Sequence, residues 1–200
     1  MISTYFERSQ LARVLRAVGF FFGGAGETDP SPREPYVQGV TAYFAVICWV
    51  SADPDAGVVE YGKIPALGHN EADSRVGRRH AVALTGLDPG STYHYRVGGA
   101  GGSSAAEYFR TAPVGEDSHF GFAVVGDSGS GGKGQLAVAA LLERLRPDLI
   151  LHTGDVVYPA GEERRYDRRF FAPYRNLIKT VPIFPVLGNP GSTKRYYSFD

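Results

Sequence analysis

A change of hydrophobic period near Glu116 is the feature that most constrains this chain. Between Tyr36 and Thr111, apolar residues recur at every second position in short runs broken by turn residues. Side chains that alternate this way stand on opposite faces of a strand. Beyond Glu116, nearly continuous apolar runs (residues 119–125, 148–153 and 182–187) are separated by stretches with helical spacing. Strands of that kind belong to parallel sheets linked by helices. One chain with two periods predicts two domains: an all-β unit, then a βαβαβ unit. The 200 residues are enough for one large domain or two small ones.

In the first unit, Ile47 and Trp49 share one strand face, with Val46, Cys48 and Val50 on the other. Residues 51–57 (SADPDAG) read as a turn, Val58 to Tyr61 as the next strand, and His80 to Leu84 as another. Tyr93, Tyr95 and Val97 share a face, and Tyr108 to Thr111 closes the series. Short strands at this spacing predict a β-sandwich over 35–113. The segment 87–93 (LDPGSTY) resembles the tyrosine corner of fibronectin type III modules, with Tyr93 at the corner. His69, His80 and His94 lack metal-ligand spacing and read as ordinary strand or loop residues, and Trp49 reads as core.

In the second unit, Val138, Leu141, Leu142 and Leu145 fall on one helix face, and Phe170, Phe171, Tyr174, Leu177 and Ile178 on another. Tyr196 to Phe199 could begin a fourth strand. The strands are expected to be parallel and buried on both faces. Each ends in polar residues: Asp127 after the first, Asp155 and Tyr158 after the second, Asn189 after the third. Ligands of open parallel sheets bind at the carboxyl ends of the strands. Two carboxylates, a phenol and an amide brought to one edge form a hard oxygen donor set suited to multivalent cations. The competing reading makes Asp127 and Asp155 caps or turn residues. His152 reads as a hydrogen-bonded core residue.

Gly126-Asp127-Ser128-Gly129, the run from Gly154-Asp155 to Tyr158, and Gly188-Asn189 together resemble the first three motifs of the purple acid phosphatases, a group of calcineurin-like metallophosphoesterases. The resemblance runs from Tyr36 to the end and includes the fibronectin-like domain ahead of the catalytic one. It implies a metal-dependent hydrolase of phosphate monoesters, working best in acid, with a dinuclear centre of iron plus zinc, manganese or a second iron. Asp127 and Tyr158 would bind the first metal, Asp155 would bridge, and Asn189 would bind the second. The family pattern continues Gly-Asn-His, whereas Pro190 follows Asn189 here. The later histidine motifs are not matched, so four of the family's seven ligands are present and residues 117–200 correspond to the N-terminal half of the phosphoesterase domain. The chain is accordingly read as truncated or as a degenerate relative, with little or no turnover of its own. The alternative from another class is a catalytically inactive fragment or non-enzymatic interaction module.

Charge and composition exclude other classes. Lys plus Arg and Asp plus Glu both number 21, so the formal charge is zero, which argues against a nucleic-acid partner. A lone cysteine, Cys48, excludes an intrachain disulfide framework. No apolar run is long enough to span a bilayer. Residues 1–34 read as an N-terminal extension or weak signal peptide plus a proline-rich linker. A signal would make the protein secreted or periplasmic, and its lack cytoplasmic. The sequence leaves the oligomeric state and the particular ester open. Gly129, Gly131 and Gly134 formally match a dinucleotide fingerprint but begin too far after the strand. Residues 162–169 (EERRYDRR) read as a solvated helix face.

Overall fold

The computed structural model describes residues 31–186, except 74, 100, 117 and 160. These residues fall into two units divided between His119 and Phe120. The expectations for residues 1–30, Asn189, Pro190 and 196–199 lie outside the described residues. No helix among the described residues is long and apolar enough to cross a membrane.

The first unit holds two antiparallel sheets. One has the order β1 (Arg33–Gln38), β2 (Phe44–Asp55), β5 (Gly77–Thr85). The other runs β4 (His69–Ala72), β3 (Val58–Gly62), β6 (Thr92–Gly99), with β7 (Gly102–Ser103) and β8 (Glu107–Arg110) both paired to β6. The alternation dictates the core. Ala45, Ile47 and Trp49 of β2 meet Val82 and Leu84 of β5 and Tyr93, Tyr95 and Val97 of β6 in one cluster with Phe109. Tyr93 lies opposite Phe109 in the register, and their rings stack with centroids 5.8 Å apart. The corner tyrosine is present: the Asp88 amide donates to the Tyr93 hydroxyl at 2.9 Å. Thr111 closes the same turn, accepting from the Ser91 amide and donating to the Asp88 carbonyl.

Three local expectations are corrected. Residues 51–55 are not a turn but the end of β2, reached through a register shift after Val50. Arg33 and Glu34 do not end a linker but begin β1, and Pro35 falls at the irregularity between Arg33 and Tyr36, where a missing N–H is tolerated. His80 is also no ordinary strand residue. It is fully buried, stacked on Trp49 at 4.5 Å, with Nε2 2.9 Å from Asp55 and Nδ1 3.3 Å from Asp73.

The second unit is a three-stranded parallel sheet in the order β11 (Ile183–Pro185), β10 (Leu149–His152), β9 (Phe122–Val125). Helix α1 (Lys133–Leu145) links β9 to β10. A short 3-10 turn, Glu163–Arg165, and a π-helical segment, Asp167–Phe171, run into α2 (Ala172–Ile178) before β11. The segment 162–169 is thus an irregular entry to α2, braced by ion pairs from Glu162 to Arg164 and Arg165, rather than one solvated helix.

Strand order explains which face is covered. The strands follow one another across the sheet without reversal, so right-handed crossovers place both helices on the same side. Ile150, His152 and Ile183 on that side are buried. Phe122, Val124 and Leu151, which share the opposite face by register, are 56%, 60% and 40% exposed. The expectation that these strands are buried on both faces is therefore wrong for the described residues. The α1 stripe is also corrected: Gln135, Ala139 and Leu142 are buried, while Val138, Leu141 and Leu145 are exposed. Gln135 occupies an apolar position because it ties two segments together. Its Oε1 accepts from the Gly131 amide at 2.7 Å and its Nε2 donates to the Arg169 carbonyl at 2.6 Å.

Candidate metal centre

Two loops leave the carboxyl edge of the parallel sheet, one after β9 that begins Gly126-Asp127 and one after β10 that reaches Gly154-Asp155 through Thr153. They are laced together through the backbone. The Thr153 amide donates to the Val125 carbonyl (2.8 Å), Asp127 to Gly154 (3.2 Å), Gly129 to Asp155 (3.4 Å), and Tyr158 to Gly129 (3.0 Å). The glycines permit this approach. A Cβ on Gly129 would lie 2.2 Å from the Val156 carbonyl oxygen, and Gly154 has φ 115°, closed to other residues. Neither Asp127 nor Asp155 caps α1, whose first flanking position is Gly132 with no side-chain cap.

Asp127 and Asp155 both adopt left-handed backbone, with φ 52° and 53°. Outside glycine that region is uncommon, and Asp and Asn are among the residues that tolerate it. A strained residue persists where its surroundings over-determine it, and such residues cluster at functional sites. Here the twist turns both carboxylates to one point. The Tyr158 hydroxyl lies 2.6 Å from Asp127 Oδ1 and 2.9 Å from Asp155 Oδ2. These bonds, that to Asp127 first, hold the phenol far above its ordinary range.

Asp127, Asp155 and Tyr158 are thus brought together at one edge of the sheet. Asn189, the fourth expected ligand, lies outside the described residues. Among the described residues no group of three or more His, Cys, Asp or Glu side chains is disposed to hold a metal. The donor set is two carboxylates and a phenol. A phenol has one proton to offer two anionic oxygens. The cluster's hard oxygen donors fit a multivalent cation.

Below this cluster sits a contact the sequence did not signal. His152, buried at the end of β10, has Nε2 2.8 Å from Ser128 Oγ, and its Nδ1 accepts from the Gly154 amide at 3.3 Å. Burial lowers the affinity of this ring for a second proton, against the opposing pull of Asp127 and Asp155. His152 was expected to be hydrogen-bonded, but nothing in the spacing identified Ser128 as its partner.

The fold is that of a β-sandwich followed by a parallel βαβαβ unit, and comparison with known proteins places a metallophosphoesterase domain second. Residues 120–199 match the calcineurin-like phosphoesterase family, and residues 36–111 match the purple acid phosphatase N-terminal domain. The two matches lie side by side, in the order of a purple acid phosphatase N-terminal domain followed by a phosphoesterase domain. The chain is 30% identical over 161 residues to acid phosphatase type 7 of Danio rerio, an overlap of 72% of this chain and 36% of that protein. It is 40% identical over 83 residues to purple acid phosphatase 15 of Arabidopsis thaliana, covering 40% of this chain and 15% of that one. The chain therefore spans about a third or less of the length of these relatives. A solved structure titled "Structure of PhoD" shares the fold, with a TM-score of 0.63 at 14% identity over 83% of this chain and 40% of its own.

Proposed function

We propose that this chain carries part of the active centre of a metal-dependent phosphoric monoester hydrolase of purple acid phosphatase type. The observation that carries the reading is the Tyr158 phenol set between the Asp127 and Asp155 carboxylates at the sheet edge. In this reading Asp127 and Tyr158 would hold ferric iron, Asp155 would serve both ions, and Asn189 would serve the second, which would be zinc, manganese or iron. Bound there, such a pair supplies Lewis-acid chemistry to a phosphoryl group. The chain's own contribution is placement. The laced loops keep two like charges within reach of one phenol, and the left-handed backbone aims them.

Metal uptake tests this directly. The chain is titrated with ferric iron and then zinc, and visible absorption follows phenolate-to-iron charge transfer. The native chain is expected to develop the band, Tyr158→Phe to lack it, and Asp155→Asn to lose at least about tenfold in metal affinity. Uptake that neither substitution changes would overturn the ligand assignment.

A further inference from the structure

We propose that Ser128 and His152 form a clasp whose task is to position the two carboxylates, a role that rests on the metal-centre reading above. One imidazole reaches the chain neighbour of each aspartate. Its Nε2 meets Ser128, next to Asp127, and its Nδ1 meets the amide of Gly154, next to Asp155. An amide can only donate, so Nδ1 is the acceptor. In the neutral ring the proton then sits on Nε2 and is donated to Ser128 Oγ.

The clasp is needed because the loops carry like charges facing each other. The backbone bonds that lace them at Asp127 and Gly129 are long, 3.2 and 3.4 Å. The Ser128–His152 contact is shorter at 2.8 Å and lies between a buried hydroxyl and a buried ring. Hydrogen bonds shielded from water are electrostatically stronger than exposed ones. His152 itself belongs to β10, the central strand of the sheet, so the clasp refers both loops to the most constrained element of the unit. Ser128 and His152 are thus positioning residues that act through Asp127 and Asp155 and need touch neither metal nor ester. Groups that orient metal ligands from behind are typically worth about 10–100-fold in metal affinity.

The test uses the whole chain and two readouts. Amide hydrogen exchange without metal monitors Asp127, Gly129 and Tyr158, three of the four donors of the inter-loop bonds, against Ile150, which donates to Pro182 in the sheet. Calorimetric titration with zinc monitors the site. Ser128→Ala is expected to speed exchange about tenfold at the three loop amides and leave Ile150 unchanged. It should also weaken zinc binding by about 10–100-fold. Ser128→Thr, which keeps the hydroxyl, should restore both. Where Ser128→Ala fails to fold, His152→Gln serves instead. Its amide replaces Nε2 toward Ser128 but places no acceptor where Nδ1 stood, so the Gly154 amide should lose protection together with the loop amides, and native-like exchange at Gly154 would overturn the clasp. Native-like exchange and zinc affinity in Ser128→Ala, or faster exchange spread evenly to Ile150, would overturn the clasp. Zinc uptake absent from the native chain would overturn the metal-centre reading instead, and the exchange pattern would still decide the clasp.

Discussion

The two units of this chain handle apolar surface in opposite ways. The sandwich sets two sheets face to face, so each inward residue of β2, β5 and β6 meets a partner from the other sheet. Its core is closed among the described residues. The parallel unit has one sheet and puts both helices on one side of it. Its other face presents Phe122, Val124 and Leu151 uncovered. Alternation thus closes a core between sheets, whereas continuous apolar runs require cover on two sides. Among the described residues, the unit holding the candidate site has it on one.

Substitutions can break this comparison, the largest effect first. Phe109→Ala should cost about 3–5 kcal/mol, because Phe109 is fully buried between Tyr93 and Tyr95. Urea unfolding followed by the fluorescence of Trp49, the chain's one tryptophan, reads this in the sandwich alone. A loss under 1 kcal/mol would show that core to be looser than drawn. Tyr93→Phe should cost about 1–2 kcal/mol in the same assay by orphaning the Asp88 amide. Val124→Lys should change stability by no more than about 0.5 kcal/mol and reduce binding of an apolar dye. Calorimetric melting of the second unit would check it, and a loss of several kcal/mol would mean that the Val124 face is covered.

The sequence made the sandwich legible because one face of each strand faces a core, so that period 2 is written directly. Tyr93, Tyr95 and Val97 were placed correctly on that ground alone. The parallel unit was legible in element order but not in burial. Phe122 and Val124 are as apolar as Ala123 and Ile150, and a hydrophobic pattern does not say which side a helix will take. That depends on strand order and crossover hand. The α1 stripe failed similarly: Gln135 is buried for its two hydrogen bonds, and Leu145 is exposed despite its type. At the site, Gly-Asp after a strand marked both carboxylates. The Ser128–His152 contact was silent because its partners lie 24 residues apart, in a pair with no fixed spacing.

The left-handed backbone at Asp127 and Asp155 also bears on how this centre can be lost. Few residue types fit that geometry comfortably, and Asn and Gly are among them. Each is one base change away from an aspartate codon. A gene carrying this site can therefore shed one of its two carboxylate charges in a single mutational step while the encoded loop keeps its shape. Variation at these two positions should accumulate as Asn and Gly in lineages where selection on chemistry has relaxed, with the glycines and Tyr158 around them still in place.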